Sequence, residues 1–354
     1  MTTPTVPVIV LGGSGYVAGE VLRLIAQHPR LGLGAAVSTS AADQAIAKTF
    51  AHLHPSFPAE RFASIDSTIE RLGEAPRWIV VSAAPHGASA PLVARLLESA
   101  ARAGVELAVV DASADFRFRS ADQYAEIYHV AHAAPQLLDS FRCAVPEHLA
   151  EIDTPHVAQP GCFATAMLLA IVPLVAKGLS GPEFSVSAIT GSTGAGGTPR
   201  ETTHHPVRQS NVFAYQPLKH RHDPEVRALT EAATGRAIGL HFVPHSGPFA
   251  RGIHATVFAL RTTADSPDAI REAVADYYRD AAFVRVLATP PRLKDVVGTN
   301  FASLSVDADD RVITVCCAID NLVKGAAGGA LQWVNRLCGW PDTDGLTAAA
   351  PGWI

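Results

Sequence analysis

The sequence predicts an α/β protein in which a doubly wound parallel sheet is followed by an α+β domain. Through roughly the first 160 residues, short apolar runs typical of buried parallel strands alternate with segments of helical spacing. Beyond Pro160 and Gly161, β-branched runs with polar residues at alternate positions indicate a mainly antiparallel sheet. A chain of 354 residues is long enough for two such domains.

The first domain is predicted to contain four buried strands: Val6 to Leu11, Leu33 to Ser38, Trp78 to Ala83 and Leu107 to Asp111. Helical spacing predicts two connecting helices: Val17 to His28 and about Ala88 to Ala103. Strands that are joined through helices run parallel, so the helices are expected to cover both faces of the sheet.

The second domain is predicted to begin with a helix over Phe163 to Lys177 and to continue as a sheet. Its three clearest strands are Phe184 to Ile189, Ile253 to Leu260 and Val312 to Ala318. A surface helix is expected over Pro267 to Arg279, because Ser266 is a good N-cap and proline favours the first helical position.

The end of the chain is expected to return to the first domain. Asn321 to Cys338 has a helical pattern, and the tail from Asp342 to Gly352 is rich in Gly, Ala, Thr and Pro, so we expect it to be loosely ordered. We therefore assign residues 1–161, completed by residues 320–354, to the first domain and residues 162–319 to the second.

Composition excludes several classes of partner. The net charge is −5 and no basic stripe is present, which argues against nucleic acid. We find no apolar run long enough for a transmembrane helix and no signal peptide, so no membrane partner is expected. The five cysteines include no C-x-x-C pair, so we expect neither disulfides nor a metal site. Cysteines of this kind favour a cytoplasmic location.

A glycine-rich turn joins the first predicted strand to the first predicted helix. The pattern Gly13-x-Gly15-x-x-Ala18, with Gly12 before it, allows a pyrophosphate to approach the backbone at a helix N-terminus. The first domain is therefore predicted to be a Rossmann-like dinucleotide-binding domain, although a simple glycine turn is the alternative. The expected cofactor contacts here are Gly12, Gly13, Ser14, Gly15, Tyr16 and Val17.

The end of the second strand favours NADP(H) as the cofactor. An acidic residue there would bind the ribose 2′-hydroxyl of NAD, but the stretch from Val37 to Ser40 contains none. The hydroxyls of Ser38 and Ser40 are suited to a 2′-phosphate, whereas no arginine is present to reinforce them.

A second Gly/Ser/Thr loop, Gly191 to Thr198, follows a predicted strand. Its backbone N–H and hydroxyl groups are suited to a phosphate or to the nicotinamide, with Ser192, Gly194 and Gly196 as the candidate contacts. The alternative is a flexible linker.

Cys162 is the candidate nucleophile. Pro160 and Gly161 place it in the first turn of a helix, where the helix dipole and free N–H groups favour a thiolate and can hold an oxyanion. A thiolate there could attack an acyl phosphate to give a thioester, which hydride would reduce to an aldehyde. The alternative is a small buried residue, which is how we interpret Cys143, Cys316, Cys317 and Cys338.

A thiol of this kind needs an acid–base partner, and the densest histidine group is His220-Arg221-His222. Other histidines are found in His204-His205 and at His245. A solvated polar loop is the alternative explanation of the cluster around His220.

Several motifs in a fixed order resemble the N-acetyl-gamma-glutamyl-phosphate reductase family over almost the whole chain. They are Gly12–Tyr16, Asp111–Arg117, Pro160–Thr165, Gly194–Gly196, His220–Glu225, Pro244-His245, Arg251-Gly252 and Asp320–Gly328. The resemblance implies a semialdehyde dehydrogenase-like catalytic and dimerisation domain in a homotetramer or homodimer. Two departures stand out: Gln159 replaces the usual asparagine, and the arginine expected after the second strand is absent.

The resemblance also implies roles for individual residues. Cys162 would be the nucleophile and His220 the general acid/base. The residues expected to support or bind the substrate are His222, Glu225, His245, Arg251 and Arg117, and Asn321 is expected to contact the cofactor.

The implied reaction is the NADP-dependent reduction of N-acetyl-gamma-glutamyl phosphate to N-acetylglutamate 5-semialdehyde in arginine biosynthesis, through a thioester on Cys162. One alternative is the sister enzyme of lysine biosynthesis, which the stretch Thr198–Arg208 resembles and which reduces an aminoadipyl phosphate on an acidic carrier protein. A basic rim for such a carrier would comprise Arg200, Arg208, Lys219 and Arg221. A non-catalytic NADP-binding protein is a more distant alternative.

Overall fold

The computed structural model describes residues 5–353, which divide into two compact units. The first unit holds residues 5–144 together with Glu151–Gln159 and Ala327–Thr347. The second unit holds Val145–Ala150, Pro160–Ala326 and residues 348–353. Four stretches that were assigned to the first domain from the sequence lie in the second unit: residues 145–150, 160–161, 320–326 and 348–353.

The first unit contains a six-stranded parallel sheet in the order β2-β1-β3-β4-β6-β5. Its strands are β1 (Val6–Leu11), β2 (Leu31–Val37), β3 (Arg77–Ser82), β4 (Glu106–Asp111), β5 (Phe141–Cys143) and β6 (His156–Ala158). Its helices before the crossover to the second unit are α1 (Tyr16–Gln27), α2 (Ile46–Thr49), α3 (Ile65–Glu70), α4 (Ser89–Ala103) and α5 (Ala121–Tyr128). The central strands are almost fully buried, which explains their continuous apolar runs.

The second unit contains a seven-stranded mixed sheet in the order β11-β12-β13-β10-β7-β9-β8. Its strands are β7 (Ser180–Thr190), β8 (Phe213–Ala214), β9 (Gly239–Ser246), β10 (Ile253–Arg261), β11 (Val284–Leu287), β12 (Ala302–Ala308) and β13 (Val312–Ile319). Its helices are α6 (Cys162–Ala176), α7 (His205–Arg208), α8 (His222–Thr234) and α9 (Pro267–Tyr277). Four of the six strand pairs are antiparallel, and the two parallel pairs are β11 with β12 and β7 with β9.

Helix α6 is the core of the second unit. Every residue from Phe163 to Val175 is buried, because the helix lies on β7, β10 and β13 and also packs against α8. Alternate residues of β10, from Ile253 to Ala259, face this core, while Phe258 and Leu260 on the opposite face of the sheet are exposed. An all-round apolar helix is stable in water only when it is enclosed in this way.

The chain returns to the first unit through α10 (Gly328–Leu337). Trp333 of α10 is fully buried and donates to the carbonyl oxygen of Ala144. The expectation of a loose tail is wrong for its first part: Asp344 forms an ion pair with Arg30 at 2.8 Å, and Leu346 is buried. Among residues 5–353, no helix is both long and apolar enough to cross a membrane.

Candidate active site

Cys162 is the first residue of α6, as the sequence predicted. Gly161 caps the helix with extended backbone, and the N–H of Thr165 donates to its carbonyl oxygen at 2.7 Å, so helical hydrogen bonding begins at once. Cys162 is half-buried. A thiol at this position is stabilised as a thiolate by the helix dipole and is not sealed inside the apolar core.

Glu225 holds the backbone that precedes the thiol. Its carboxylate comes from the first turn of α8, is fully buried, and accepts a hydrogen bond from the N–H of Gly161 at 2.7 Å. The sequence analysis placed Glu225 near the substrate. In the structure its carboxylate binds the backbone beside Cys162 instead, and this hydrogen bond fixes the start of α6.

Gly325 lies directly against Cys162. A Cβ atom added to Gly325 would stand 2.7 Å from the Cβ of Cys162 and 3.0 Å from its Cα, closer than real Cβ contacts allow. Gly325 belongs to a single π-helical turn, Val323–Ala327, which sequence reasoning interpreted as ordinary helix. The motif Lys324-Gly325-Ala326 was the only signal in the sequence that could have drawn attention to this glycine.

His220 lies in an aromatic pocket and is 7% exposed. Its ring makes edge-to-face contacts with Phe163, Phe242 and His222, with centroids 4.7 to 5.6 Å apart. Burial, and secondarily the charge of Arg221, lowers the pKa of His220 to about 4. The ring is therefore neutral near pH 7.

The proton of neutral His220 is assigned by its hydrogen bond. Its Nδ1 accepts from the backbone N–H of His222 at 3.3 Å, so Nε2 carries the proton. His220 is thus set up to donate a hydrogen bond from Nε2, which suits an acid or an oxyanion-stabilising group better than a base waiting for a thiol proton.

Tyr215 links the surroundings of His220 to those of Cys162, and the sequence analysis missed it. Its ring stands edge-on to His220 at 5.8 Å. Burial raises the pKa of Tyr215, and the negative charge of Cys162 raises it further. Tyr215 follows the two-residue strand β8, too short a strand to predict from its composition.

Asp320 organises the segment that carries Gly325. Its buried carboxylate accepts from the backbone N–H groups of Gly298, Leu322 and Val323 at 2.7 to 2.9 Å. The guanidinium of Arg251 binds the same carboxylate through two hydrogen bonds, at 3.0 and 3.2 Å. Arg251 was predicted to bind the substrate, but its charge is already neutralised by the Asp320 carboxylate.

Asn321 and the loop at 191–196 form one hydrogen-bonded structure. The Asn321 side chain accepts from the N–H of Gly252 at 2.7 Å and donates to Thr193 Oγ1 at 3.0 Å. The alternative of a flexible linker is wrong, because Ser192–Ala195 is a 3-10 turn. Its amides donate to backbone carbonyls: Ser192 to Phe249, Thr193 to Ala250, Gly194 to Gly191 and Gly196 to Thr193.

These amides are therefore already engaged with the protein, and a ligand would meet chiefly the side chains and glycine surfaces of the loop. Gly196 faces open space, since an added Cβ there would meet nothing within 4 Å. The proposed cofactor roles of Ser192, Gly194 and Gly196 stay predictions.

The remaining predicted substrate residues are spread over both units. His245 lies in β9, and its buried Nδ1 has no hydrogen-bond partner within the described part of the chain. His222 begins α8 beside His220. Arg117, in the first unit, donates to the carbonyl oxygens of Gln159 and Ala112 at 3.1 and 3.2 Å.

The predicted dinucleotide turn has the backbone that such a turn needs. Gly12 adopts φ +72°, and an added Cβ would stand 2.6 Å from the backbone of Ala84, so no other residue fits without a shift. The hydroxyl of Ser14 lies 3.1 Å from that of Ser38 and 3.4 Å from that of Ser40. Tyr16 and Val17 begin α1, and Tyr16 is exposed.

Of the four cations assigned to a basic rim, Arg200, Lys219 and Arg221 are exposed, but Arg208 is buried. Arg208 therefore does not belong to an exposed rim. Within residues 5–353, no group of three or more His, Cys, Asp and Glu residues is arranged to hold a metal ion.

The first unit has a parallel sheet with a glycine turn after its first strand. The second unit has a mixed sheet covered by a helix that begins with a cysteine. This combination is typical of two-unit semialdehyde dehydrogenases. Residues 7–159 match the family model for the NAD binding domain of semialdehyde dehydrogenases, and residues 162–321 match the model for their dimerisation domain. The chain therefore belongs to the semialdehyde dehydrogenase family.

Similar proteins agree with this assignment. An N-acetyl-gamma-glutamyl-phosphate reductase of Methanopyrus kandleri is 40% identical over 344 residues, which are 95% of this chain and 96% of the relative. Another, from Rhodospirillum rubrum, is 37% identical, covering 96% and 97%. A putative [LysW]-L-2-aminoadipate/[LysW]-L-glutamate phosphate reductase of Aeropyrum pernix is 35% identical, covering 95% and 96%. The resemblance stated from the motifs is confirmed.

Solved structures of aspartate semialdehyde dehydrogenases share the fold. The Vibrio cholerae enzyme II has a TM-score of 0.69 at 17% identity, covering 95% of this chain and 99% of the other. The Candida albicans enzyme, solved with NADP, has a TM-score of 0.62 at 14% identity, covering 95% and 98%. At these identities the likeness shows the fold alone, and it confirms the predicted fold class.

Proposed function

We propose that this protein reduces N-acetyl-gamma-glutamyl phosphate to N-acetylglutamate 5-semialdehyde and phosphate, with NADPH as the reductant. The names of its relatives supply the substrate, since most of those most similar to it are N-acetyl-gamma-glutamyl-phosphate reductases. The structural observation that carries the proposal is Cys162, a half-buried thiol at the N-terminus of α6 with its backbone held by Glu225.

The residues present fit a dinucleotide cofactor. The turn brings Gly12 against the backbone that follows β3, where only glycine fits, and brings Gly13 close to the end of β2. The hydroxyls of Ser14, Ser38 and Ser40 lie together beside this turn. We propose that these residues hold the pyrophosphate and the 2′-phosphate of NADP. When bound, the cofactor supplies the hydride.

The chain's own residues account for the covalent chemistry. The Cys162 thiolate attacks the acyl carbon, the C–O bond to phosphate breaks, and a thioester forms. After reduction, the C–S bond of the hemithioacetal breaks, which releases the aldehyde and returns the thiolate. His220, protonated on Nε2, donates to the hemithioacetal oxygen or to the departing sulfur, and Tyr215 helps to exclude water from His220.

The exposed outer face of the second sheet supports an oligomer. Phe258 is 43% exposed and Leu260 is 59% exposed on the face of β10 opposite α6, and the matching family model is a dimerisation domain. We propose a homodimer or homotetramer, which light scattering of the purified protein would measure. The five free cysteines support our proposal of a cytoplasmic location.

The Aeropyrum pernix relative supports a second candidate, reduction of an acyl phosphate that is attached to an acidic carrier protein. The exposed cations Arg200, Lys219 and Arg221 are the surface that favours it. The phosphate-dependent reverse reaction distinguishes the two candidates. Its rate is measured with N-acetylglutamate semialdehyde and with carrier-linked aminoadipate semialdehyde. Replacing the three cations by glutamine should affect only the carrier-linked substrate.

Replacing the thiol tests the proposed mechanism. Cys162→Ser should lower kcat at least 1,000-fold, about 4 kcal/mol of barrier, because serine lacks a stabilised anion at this site. NADPH binding, followed by fluorescence titration, should be unchanged. Cys316→Ser, in strand β13 of the same unit, is the matched control and should keep full activity. Turnover by Cys162→Ser at the wild-type rate would exclude the thioester route.

A further inference from the structure

Among residues 5–353, Arg208 is a buried cation without a carboxylate partner. It ends the short helix α7 and is only 8% exposed. Burial alone lowers the pKa of its guanidinium, with no acidic group acting to raise it. Such a charge is costly to bury without a counter-ion, so a buried arginine at this position calls for a functional explanation.

Within the part of the chain that the structure describes, the hydrogen bonds of Arg208 are all to neutral oxygen atoms. Its Nη1 donates to Ser246 Oγ at 2.7 Å, and its Nη2 donates to the carbonyl oxygens of Gly247 and Phe249, the latter at 3.1 Å. A guanidinium has five N–H donors, and these contacts use three of them. The guanidinium group is therefore held in place, while two of its N–H donors and its positive charge remain for an anion.

Two other cations of the second unit, the buried Lys324 and the half-buried Arg251, are compensated. Lys324 lies 2.6 Å from the carboxylate of Glu147, and Arg251 forms two hydrogen bonds with Asp320. Their charges are neutralised within the protein. Arg208 differs from them because no carboxylate of the described residues neutralises its charge.

Strand register places Arg208 at the same end of the sheet as the segment that touches Cys162. Thr190 of β7 pairs with both Ser246 of β9 and Ile253 of β10, and Ile253 also pairs with Ile319 of β13. The segments that leave these strand ends are 191–196, 247–252 and 320–325. Arg208 binds the second of them, and Gly325 of the third touches Cys162.

We propose that Arg208 binds an anionic group of the acyl substrate, its carboxylate or its phosphate, and thereby sets substrate specificity at the Cys162 site. The inference rests on the proposed function. A planar guanidinium suits either oxyanion, because two parallel hydrogen bonds match carboxylate and phosphate alike. Ligand binding then supplies the counter-charge that the protein does not.

Kinetics of the phosphate-dependent reverse reaction test this role and identify the anion. N-acetylglutamate semialdehyde and inorganic phosphate are varied separately for the wild type, Arg208→Gln and Arg208→Lys. Arg208→Gln should raise one KM at least tenfold: that of the semialdehyde if Arg208 binds the carboxylate, or that of phosphate if it binds the phosphoryl group. Arg208→Lys should recover part of the loss, because it keeps the charge without the fork. Arg311→Gln, at an exposed arginine in the turn between β12 and β13 at the other end of the sheet, is the matched control and should leave both KM values unchanged.

A purely structural Arg208 gives a different result. Both KM values of Arg208→Gln would then equal those of the wild type while kcat or the melting temperature fell, and that result would overturn the proposal. If Arg208→Gln does not fold, the same two KM values are measured for Arg208→Lys. Wild-type KM values for both substrates in that variant would likewise overturn the proposal.

Failure of the proposed function is recognised separately, as a wild-type protein that shows no phosphate-dependent NADP reduction with this semialdehyde. Thermal stabilisation by inorganic phosphate and by N-acetylglutamate then tests Arg208 directly. Stabilisation of the wild type by either ligand that Arg208→Gln lacks supports the anion site, and equal responses of the two proteins reject it.

Discussion

At the scale of single residues, the surroundings of Cys162 combine local and distant parts of the sequence. The breakers Pro160 and Gly161 predicted the helix start, because their effect is local. Glu225, Tyr215 and Gly325, which hold or flank the thiol, lie 53 to 163 positions further along the chain. No periodicity in the sequence could bring them together, since strand order and loop conformation determine that contact.

Gly325 offers a sensitive test of how closely the thiol must be positioned. Gly325→Ala would put a methyl group 2.7 Å from the Cβ of Cys162, so the start of α6 must shift. We expect kcat to fall about tenfold to a hundredfold, since a displacement of about 1 Å at a reacting group costs that much. NADPH affinity should not change, and steady-state kinetics with cofactor titration measures both.

Gly73→Ala is the matched control for this substitution, because an added Cβ at Gly73 would meet nothing within 4 Å. It should leave kcat at the wild-type value. Wild-type kcat in Gly325→Ala would mean that the close approach to Cys162 has no catalytic consequence.

At the scale of elements, regular segments were predictable and the connections that build the site were not. The first predicted strand matches β1 at both ends, and the Ser266 N-cap accepts from the N–H of Ala269 as expected. The segment after β13 was predicted as ordinary helix, but it begins with a π-helical turn. The reason is Asp320, which binds the N–H groups of Leu322 and Val323 and so changes the start of the helix.

A buried ion pair anchors this π-helical turn. Lys324 and Glu147 are 0% and 1% exposed at the side chain, and Nζ lies 2.6 Å from Oε1. The ammonium also lies 5.6 Å from the centre of the Phe283 ring. Because Lys324 precedes Gly325, this pair holds the backbone that touches Cys162.

Breaking the pair should be costly. Lys324→Met leaves the Glu147 carboxylate buried and unneutralised, and we expect a loss of about 3–5 kcal/mol in the free energy of unfolding, measured in urea. The double variant Lys324→Met with Glu147→Leu should regain much of that loss, because no charge then remains buried. Lys177→Met is the control: its exposed pair with Asp276 should contribute at most about 1 kcal/mol. Equal losses in the single and double variants would refute a role for the charge.

At the scale of the whole molecule, two buried histidines set an acid limit to stability. Burial lowers the pKa of both His220 and His148 from 6.5 to about 4. Above about pH 6.5 both rings are neutral in the folded and unfolded chain, so neither affects stability. Between pH 6.5 and 4 the unfolded chain binds more protons, so the folded state loses stability as the pH falls.

Urea unfolding at several pH values between 7.5 and 4 tests this limit. His220 alone should account for up to about 3 kcal/mol of the acid-induced loss, from its shift in pKa. The double variant His220→Gln with His148→Gln should therefore show a flatter dependence of unfolding free energy on pH, even if it is less stable at pH 7.5. His54→Gln, at an exposed position, should retain the wild-type slope. An unchanged slope in the double variant would show that other groups govern the acid response.

The return of α10 to the first unit has a consequence for biosynthesis. On the ribosome, the strands of the first unit emerge long before Trp333, which must fill their core. The seven-stranded sheet of the second unit contains no residue of that helix. It can therefore assemble before α10 completes the first unit. A chain that has released residue 326 from the ribosome but not Trp333 is thus expected to contain the complete seven-stranded sheet of the second unit, which then lacks only its last residues, together with a first unit that still lacks α10.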